Sequence, residues 1–266
     1  MTRSVKVKLN SEWGFNLKTV DVAVIGICAA LYAAVGYLTS GVTFLGVAFL
    51  PAVVIPAVFA VLFGPWVGGF GGAIGIFIRD MLAHGIPALS LSAGVPPNFI
   101  LFFLIGYLAH RNIDLKKTVI ALTVAGIALI VPTAIFLPQV ESYTGLSNLE
   151  LALVFSFTVV LSLVAIAVVS VRWREWRSFA IGAVVAQAAG AGLLSITVWA
   201  VSPLFLSYFG KPFPISWVLP LFVWTFATEI PFILLVGPPL INASYRAFPS
   251  LSQRQMDGQK KGENVA

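Results

Sequence analysis

Long apolar segments alternate with short polar ones along almost the whole chain. Eight apolar runs can be distinguished, and most of them have the length that a helix needs to cross a bilayer. The runs cover residues 19–40, 49–63, 66–83, 96–109, 118–137, 149–171, 179–201 and 217–243. This pattern predicts an all-α integral membrane protein, a polytopic bundle of about eight transmembrane helices. The alternative is a bundle of six or seven helices with a re-entrant segment near residues 50–83.

The composition supports the same class. Of the 266 residues 59% are hydrophobic and only 10% are charged, whereas a soluble domain carries about a quarter charged residues. The polar segments are too short to bury a core of their own, so we expect one transmembrane helical domain over residues 19–245. A basic segment, residues 1–18, precedes it, and a polar tail that we predict to be disordered, residues 246–266, follows it.

The basic residues predict how the chain is oriented in the membrane. If the eight runs cross alternately, fourteen of the sixteen lysines and arginines fall on one side. Because cytoplasmic loops are enriched in such residues, we expect both termini in the cytoplasm of a multi-pass cell-membrane protein. The net charge of +6 is then explained by topology, and nucleic acid is not expected as a partner.

The third run combines glycines with a pair of charged residues. Gly68 and Gly72 recur at helical spacing, which lets a neighbouring backbone approach closely. Arg79 and Asp80 follow near the predicted outer end, and ionisable groups in hydrocarbon usually face a cavity or a partner. Adjacent residues on a helix point in different directions, so we expect these two not to pair, while His84 shares a face with Asp80. The three residues are candidates for substrate binding; the alternative is that Arg79 reaches the lipid headgroups.

Other polar and aromatic residues in the apolar runs extend the candidate binding site. Glu229 lies near mid-membrane in the last run, where a carboxylate suggests a function and where Arg79 is the one cation within an apolar run. Asn98 and Gln187 suit hydrogen bonds between helices, and Asn98 is also a binding candidate. Aromatic residues near the outer side include Phe44 and Trp224, which suit either the wall of an organic ligand site or anchoring at the membrane interface.

Small residues form two ridges on the first predicted helix. Ala29 and Ala33 form one ridge, and Ala30 and Ala34 form another beside it. A smooth ridge of this kind suits close contact with a partner helix, and packing within the same chain is the alternative.

Motifs for catalysis are missing from the sequence. It contains neither the phosphate-binding pattern GxxxxGK[ST] nor the zinc-protease pattern HExxH, and a single cysteine, Cys28, excludes a disulfide framework or a cysteine metal site. We therefore expect no enzymatic activity, no cofactor and no metal centre.

Several of these segments, taken in order, resemble the substrate-binding membrane subunits (S components) of energy-coupling factor (ECF) importers, a branch of the ABC transporters. The first helix reads GICAALYAAVGY, and the next segments read FLPAVVIPAVFAVLFGPWVGG, followed by a helix that ends near Asp80. The last helix, EIPFILLVGPPLINASYR, is also similar. The resemblance covers residues 19–110 and, more weakly, 217–247. That family usually has six helices, so the additional pair is placed between residues 118 and 202.

The resemblance implies a function and a set of partners. The substrate would be a small organic micronutrient such as a vitamin, captured beneath the loop of residues 41–48. A transmembrane coupling subunit and two cytoplasmic ATPases would complete the importer, with Ala29, Ala30, Ala33 and Ala34 in contact with the coupling subunit. Two alternatives stay open: a self-contained secondary transporter that uses Glu229 as an ion relay, and a non-transporting membrane assembly partner.

Overall fold

The computed structural model describes residues 17–109, 148–172 and 176–249, together with the single positions 120 and 124. This part of the chain forms a helical bundle with one small β-hairpin. The main helices are α1 (Thr19–Thr39), α2 (Val54–Phe63), α3 (Pro65–Ala83), α4 (Val95–Leu108), α5 (Asn148–Arg172), α6 (Arg177–Val201) and α7 (Val218–Ala247). The hairpin pairs β1 (Thr43–Phe44) with β2 (Val47–Ala48), and the short helical segments are Pro51–Val53, Pro87–Leu89, Ser90–Gly94, Ser202–Leu204, Leu206–Phe209 and Ile215–Trp217.

The helices of the described ranges have the length and composition of membrane spans. Five segments are long and apolar enough to cross a bilayer: Thr19–Thr39, Pro65–Ala83, Pro87–Leu108, Ser178–Leu204 and Ile215–Ala247. Two shorter apolar helices are Pro51–Phe63 and Val160–Val169. The chain is therefore a helical membrane protein. The total number of crossings stays a prediction, because the predicted run 118–137 falls outside the described residues except at positions 120 and 124.

A sharp turn separates α2 from α3, as the Gly-Pro pair predicted. Gly64 follows the last residue of α2 with a φ of 105°, in the region that only glycine adopts without strain. Pro65 then occupies the first position of α3, where its missing N–H removes no helical hydrogen bond. The two short helices can therefore fold back on one another and pack side by side.

The glycines of α3 allow helices to pack on both of its sides. A Cβ atom at Gly71 would lie 2.6 Å from the Cys28 sulfur of α1, and one at Gly72 would overlap the ring of Phe102 in α4. The predicted close approach of neighbouring helices is confirmed. As a result α3 is buried between α1 and α4, and its last turns, which carry the charge pair, are enclosed by protein.

The membrane segment that corresponds to the fourth predicted run, residues 96–109, begins earlier than the sequence pattern predicted. The helical backbone starts at Pro87 and runs through the π-helical turn Ser90–Gly94 into α4, whereas Pro96 had suggested a start. At the junction the Val95 N–H bonds to the Ser90 carbonyl, five residues back. Because Pro96 and Pro97 fall in the first turn after this wider turn, the backbone can continue as a helix past two residues that lack an N–H.

The apolar core lies around α7. This helix of 30 residues is continuous through Pro231, Pro238 and Pro239. Five of its residues have no exposed surface: Leu221, Ile230, Ile233, Leu234 and Ile241. A membrane helix tolerates such prolines when neighbouring helices surround it, because their side chains satisfy the backbone carbonyl groups that lose a hydrogen bond.

Candidate ligand-binding cavity

A cavity opens at the end of the bundle where the β-hairpin, the end of α3 and the start of the fourth membrane segment meet. The empty space within it and in front of its open mouth amounts to about 620 Å³. Its lining is mixed, with both apolar and polar side chains. The polar residues of the lining are Arg79, Asp80, His84, Ser90, Asn98 and Glu229. The structure thus brings together five of the seven residues predicted for substrate binding.

The prediction that Arg79 and Asp80 do not pair is wrong. The Nη1 atom of Arg79 donates a hydrogen bond to Oδ1 of Asp80 at 2.9 Å. The two residues are only 9% and 6% exposed, and a buried charge without water needs a partner. Adjacent residues point in different directions from a helix, but the long arginine side chain is flexible enough to curl back to its neighbour. The need of a buried charge for a partner therefore outweighs the unfavourable direction. Arg79 consequently does not extend to the lipid headgroups.

Asp80 is held by a second hydrogen bond, from a residue that the sequence pattern did not single out. The Ser90 hydroxyl, in the π-helical turn, donates to Oδ2 of Asp80 at 2.7 Å. Both carboxylate oxygens of Asp80 therefore accept a hydrogen bond, and the charge pair is fixed against the next helical segment.

His84 extends this polar group toward the mouth of the cavity. Its Nε2 atom lies 3.9 Å from Oδ1 of Asp80, which confirms that the two residues share a face. The Nδ1 atom accepts a hydrogen bond from the Ile86 N–H at 3.1 Å. Burial lowers the pKa of His84 below its usual value, with Asp80 acting in the opposite direction, so the imidazole is neutral at neutral pH.

Glu229 forms a separate polar group deeper in the bundle. Its Oε2 atom accepts a hydrogen bond of 2.7 Å from Nε2 of Gln187, which also donates to the Thr225 carbonyl at 3.2 Å. The expected link between helices by Gln187 is confirmed. Among the described residues no cation pairs with this carboxylate, since Arg79 is bonded to Asp80 instead.

Asn98 links helices at the edge of the cavity. Its Oδ1 atom accepts a hydrogen bond from the Tyr32 hydroxyl of α1 at 2.8 Å, and its Nδ2 atom donates to the Gly94 carbonyl at 2.9 Å. The predicted interhelical hydrogen bond is therefore confirmed. Because Asn98 also lines the cavity, its position is compatible with a second, ligand-contacting role.

The β-hairpin closes one side of the cavity, and two of the predicted site residues hold it in place. Its turn consists of Leu45 and Gly46 with φ values of 52° and 78°, the geometry of a tight two-residue hairpin. Phe44 packs on Trp224 with ring centroids 5.4 Å apart, and the Trp224 Nε1 atom donates to the Val47 carbonyl at 3.1 Å. These contacts anchor the hairpin to α7. Neither Phe44 nor Trp224 lines the cavity, so their predicted place in an aromatic wall around the ligand is corrected.

A short helix from the loop between α6 and α7 lies against the hairpin. In this segment, Leu206–Phe209, the Tyr208 hydroxyl donates to the Gly46 carbonyl at 3.2 Å, and the Tyr208 ring lies 5.2 Å from the His84 ring. Both Tyr208 and Phe209 line the cavity. Sequence reasoning missed them because an aromatic residue in a loop next to the membrane is typical of interfacial anchoring.

The two alanine ridges of α1 have different environments. Ala29 and Ala33 are 1% and 3% exposed, and the Ala29 carbonyl lies 2.9 Å from the place of a Cβ at Gly75 in α3. The surface that this pair was predicted to offer to a coupling subunit is covered by the chain's own helices. Ala30 and Ala34 are exposed, as is Gly26 one turn earlier, so these three residues form the free ridge.

These features define a class of protein: a membrane-embedded helical bundle with a small-molecule cavity at one end. A family model described as "ECF-type riboflavin transporter, S component" matches residues 16–172. That match spans more than half of the 266 residues, and the chain belongs to this family. The predicted resemblance is confirmed for residues 19–110. The match also includes residues 111–172, where the sequence motifs had shown no resemblance, and it does not include residues 217–247.

Family membership fixes the general role of the chain. It is a substrate-binding subunit of an ECF transporter, a membrane protein and not an enzyme. Comparison with curated proteins and with solved structures found no significant match.

Proposed function

We propose that the chain captures riboflavin outside the cell and hands it to a coupling subunit that is driven by two cytoplasmic ATPases. The observation that carries this proposal is the cavity beneath the β-hairpin, whose lining combines buried polar groups with apolar side chains. The family description names a riboflavin transporter, and that vitamin has the chemistry that such a cavity accommodates.

The lining suits a flat molecule with polar groups at opposite ends. Its apolar residues include Leu50, Ile76, Leu89, Leu194 and Val198, which suit the faces of an aromatic ring system. Arg79, Asp80 and Ser90 belong to the end of α3 and the π-helical turn after it, while Glu229 belongs to α7. Riboflavin has a ring system with N–H and carbonyl groups at one edge and a polyol chain on the other side, so each polar end finds hydrogen-bonding partners.

We place the mouth of the cavity on the extracellular face. The hairpin after α1, the end of α3 and the loop after α6 all contribute to the lining, so these three connections lie at one end of the bundle. The fourteen basic residues counted above belong to the terminal segments and to the other connections, which the positive-inside rule assigns to the cytoplasm. A substrate arriving from outside would then reach the hairpin first.

The substrate proposal is tested by ligand binding to the purified chain in mild detergent. Titration of riboflavin, followed by quenching of its fluorescence, should show saturable binding with one site per chain. Biotin and thiamine at the same concentrations should not compete. Failure of riboflavin to bind, with another vitamin bound in its place, would keep the transport role and reject the substrate.

Purification from the native membrane tests the role in an importer. A coupling subunit and two ATPases are expected to copurify with the chain. Uptake by cells that express the chain without any such subunits would instead favour a self-contained secondary transporter.

The exposed ridge of α1 is the surface we propose for the coupling subunit. Gly26, Ala30 and Ala34 recur every four residues on one side of the helix, and in the described structure they are exposed. Small residues let a second helix approach closely in a membrane, where packing drives association. The buried pair Ala29 and Ala33 would support this surface from within by fixing α1 against α3.

Replacement of Ala30 by tryptophan should abolish uptake and leave ligand affinity unchanged, because no residue of the ridge lines the cavity. The measurements are riboflavin uptake in cells and riboflavin titration of the purified variant. Leu31→Trp is the matched control, since Leu31 is also exposed (45%) but lies about 100° around the helix. Equal loss of uptake in both variants would argue against the ridge as the coupling surface.

A further inference from the structure

The β-hairpin touches a second element besides α7, the short helix Leu206–Phe209. The Tyr208 hydroxyl donates to the Gly46 carbonyl at 3.2 Å. A Cβ atom at Gly46 would lie 3.0 Å from the Tyr208 ring and 3.1 Å from the Phe209 ring, so both rings pack directly on the turn of the hairpin. We call these contacts of Tyr208 and Phe209 with Gly46 the clasp. All three residues line the cavity.

His84 supports the clasp from the end of α3. Its ring centroid lies 5.2 Å from that of Tyr208, and the imidazole also lines the cavity. The hydrogen bond that orients this ring comes from the Ile86 N–H, which donates to Nδ1 at 3.1 Å. Nδ1 can accept this bond only when it carries no proton. The observed arrangement therefore requires a neutral His84.

Proton uptake by His84 would disturb this arrangement. Both ring nitrogens of an imidazolium are donors, so a proton on Nδ1 would face the Ile86 N–H. The His84 side chain is only 12% exposed, and few water molecules can reach it to compensate for the lost bond. The ring would have to turn away from Ile86, and its contact with Tyr208 would change at the same time.

Charges on the helix of His84 act on it in opposite directions. The Asp80 carboxylate lies 3.9 Å from Nε2 and favours the imidazolium, while Arg79, bonded to the same carboxylate, disfavours it. Burial has the largest effect and lowers the pKa of His84 below its usual value. The clasped structure therefore favours the neutral imidazole.

The other elements around the cavity add no charge directed at His84. Tyr208 is uncharged, since burial raises the pKa of its hydroxyl. The ammonium of Lys211, in the loop after the short helix, lies 6.0 Å from the centroid of the Trp217 ring. Glu229 of α7 is bonded to Gln187. Neither the hairpin nor the helical segment before α4 contains an ionisable residue.

We infer that His84 makes the closure of the cavity sensitive to pH: the neutral imidazole holds Tyr208 against the hairpin, and proton uptake loosens the clasp. The inference rests on the proposed capture of a small molecule at this cavity. It adds a way in which the acidity of the medium controls how firmly the hairpin and the short helix are held together.

The direction of the effect follows from proton linkage. In the loosened state the imidazole is hydrated and titrates near its ordinary pKa of about 6.5, whereas in the clasped state its pKa is lower. The clasped state therefore binds fewer protons, so the clasp is fully stable above about pH 6.5 and weakens as the pH falls below that value. Because one proton is involved, the equilibrium changes by at most about tenfold per pH unit.

A spin label on the hairpin measures the clasp in the full chain, in mild detergent and without any ligand. Val42 precedes β1 and is 58% exposed, whereas the native Cys28 has no exposed surface, so a nitroxide attaches selectively to Val42→Cys. The mobile fraction in its EPR spectrum should increase at least about threefold between about pH 7.5 and pH 5.5. Tyr208→Phe removes the hydroxyl that bonds to Gly46 and should raise the mobile fraction already at the higher pH.

His84→Asn removes the titration and keeps the hydrogen bond. The asparagine oxygen can accept from the Ile86 N–H and does not titrate, so the mobile fraction should stay low at both pH values. Tyr37→Phe is the matched control, because Tyr37 is exposed (48%) on α1 and does not line the cavity; this variant should keep the full pH response. A wild type without a pH response, or a His84→Asn variant that keeps the response, overturns the inference.

A second measurement is decisive even if His84→Asn does not fold. Linkage is reciprocal, so loosening the clasp by Tyr208→Phe must raise the pKa of His84 toward its ordinary value. In a His110→Gln background His84 is the one histidine of the chain, and NMR titration of its imidazole gives the pKa directly. Equal pKa values with and without Tyr208→Phe would contradict the inference. A chain that shows the pH response and does not bind riboflavin keeps the inference and loses the proposed substrate.

Discussion

Replacement of Arg79 by alanine is expected to lower the free energy of unfolding by about 3–5 kcal/mol and to abolish ligand binding. The variant leaves the Asp80 carboxylate buried with the Ser90 hydroxyl as its hydrogen-bond partner and His84 3.9 Å away, and an uncompensated buried charge costs about that much. Thermal unfolding in detergent and riboflavin titration measure the two effects. The loss of binding follows because the end of α3 also forms the wall of the cavity.

The double variant Arg79→Ala/Asp80→Ala is the control for this prediction. It removes both charges, so it should recover a large part of the stability that the single variant loses, while ligand affinity stays low. Such a recovery is the signature of a charge pair measured by a double-mutant cycle. If the two substitutions simply add, the 2.9 Å contact contributes little and Arg79 stabilises the bundle through its aliphatic part alone.

Replacement of Gly72 by alanine should destabilise the bundle by about 3 kcal/mol or more. A Cβ atom at this position would overlap the ring of Phe102, which has no exposed surface and cannot swing out into the surroundings of the bundle. Overpacking of a dense interior typically costs about 1–3 kcal/mol, and occasionally more. The measurement is the midpoint of thermal unfolding in detergent.

Gly26→Ala provides the matched control for this glycine. Gly26 is exposed on α1 and a Cβ atom there would have no neighbour within 4 Å, so alanine should be neutral or slightly stabilising because it favours helix. A second change, Phe102→Leu in the Gly72→Ala background, should restore part of the lost stability. Equal behaviour of the two glycine variants would mean that α3 and α4 do not pack as closely as the structure shows.

Some residues in and next to the cavity could be identified from the sequence alone. The carboxyl group of Glu229, the amides of Asn98 and Gln187, and the pair at the end of α3 were found because polar residues are rare in apolar runs. Each of these is a local signal that needs no knowledge of the fold. Ser90 and Tyr208 give no such signal, since serines and aromatic residues are common near the ends of membrane helices.

The sequence by itself determined the class of protein and most of the element boundaries. Hydrophobic periodicity, the positions of basic residues and the Gly64–Pro65 turn depend on local chemistry: the length of an apolar run and the φ that only glycine tolerates. The same kind of signal carried the family resemblance, because its motifs are short and continuous. The continuous helix from Pro87 was missed, since a π-helical turn changes the hydrogen-bonding register in a way that prolines alone do not reveal.

Only the tertiary structure decided which side chains meet. Arg79 pairs with Asp80 and not with Glu229. The end of α3 is buried, so the guanidinium needs a partner, and the carboxylate within its reach is that of the adjacent residue. Ala29 faces inward and Ala30 outward, although both lie on small-residue ridges, because α3 covers one side of α1. Pairing and exposure depend on neighbours that are distant in sequence, and no local pattern contains that information.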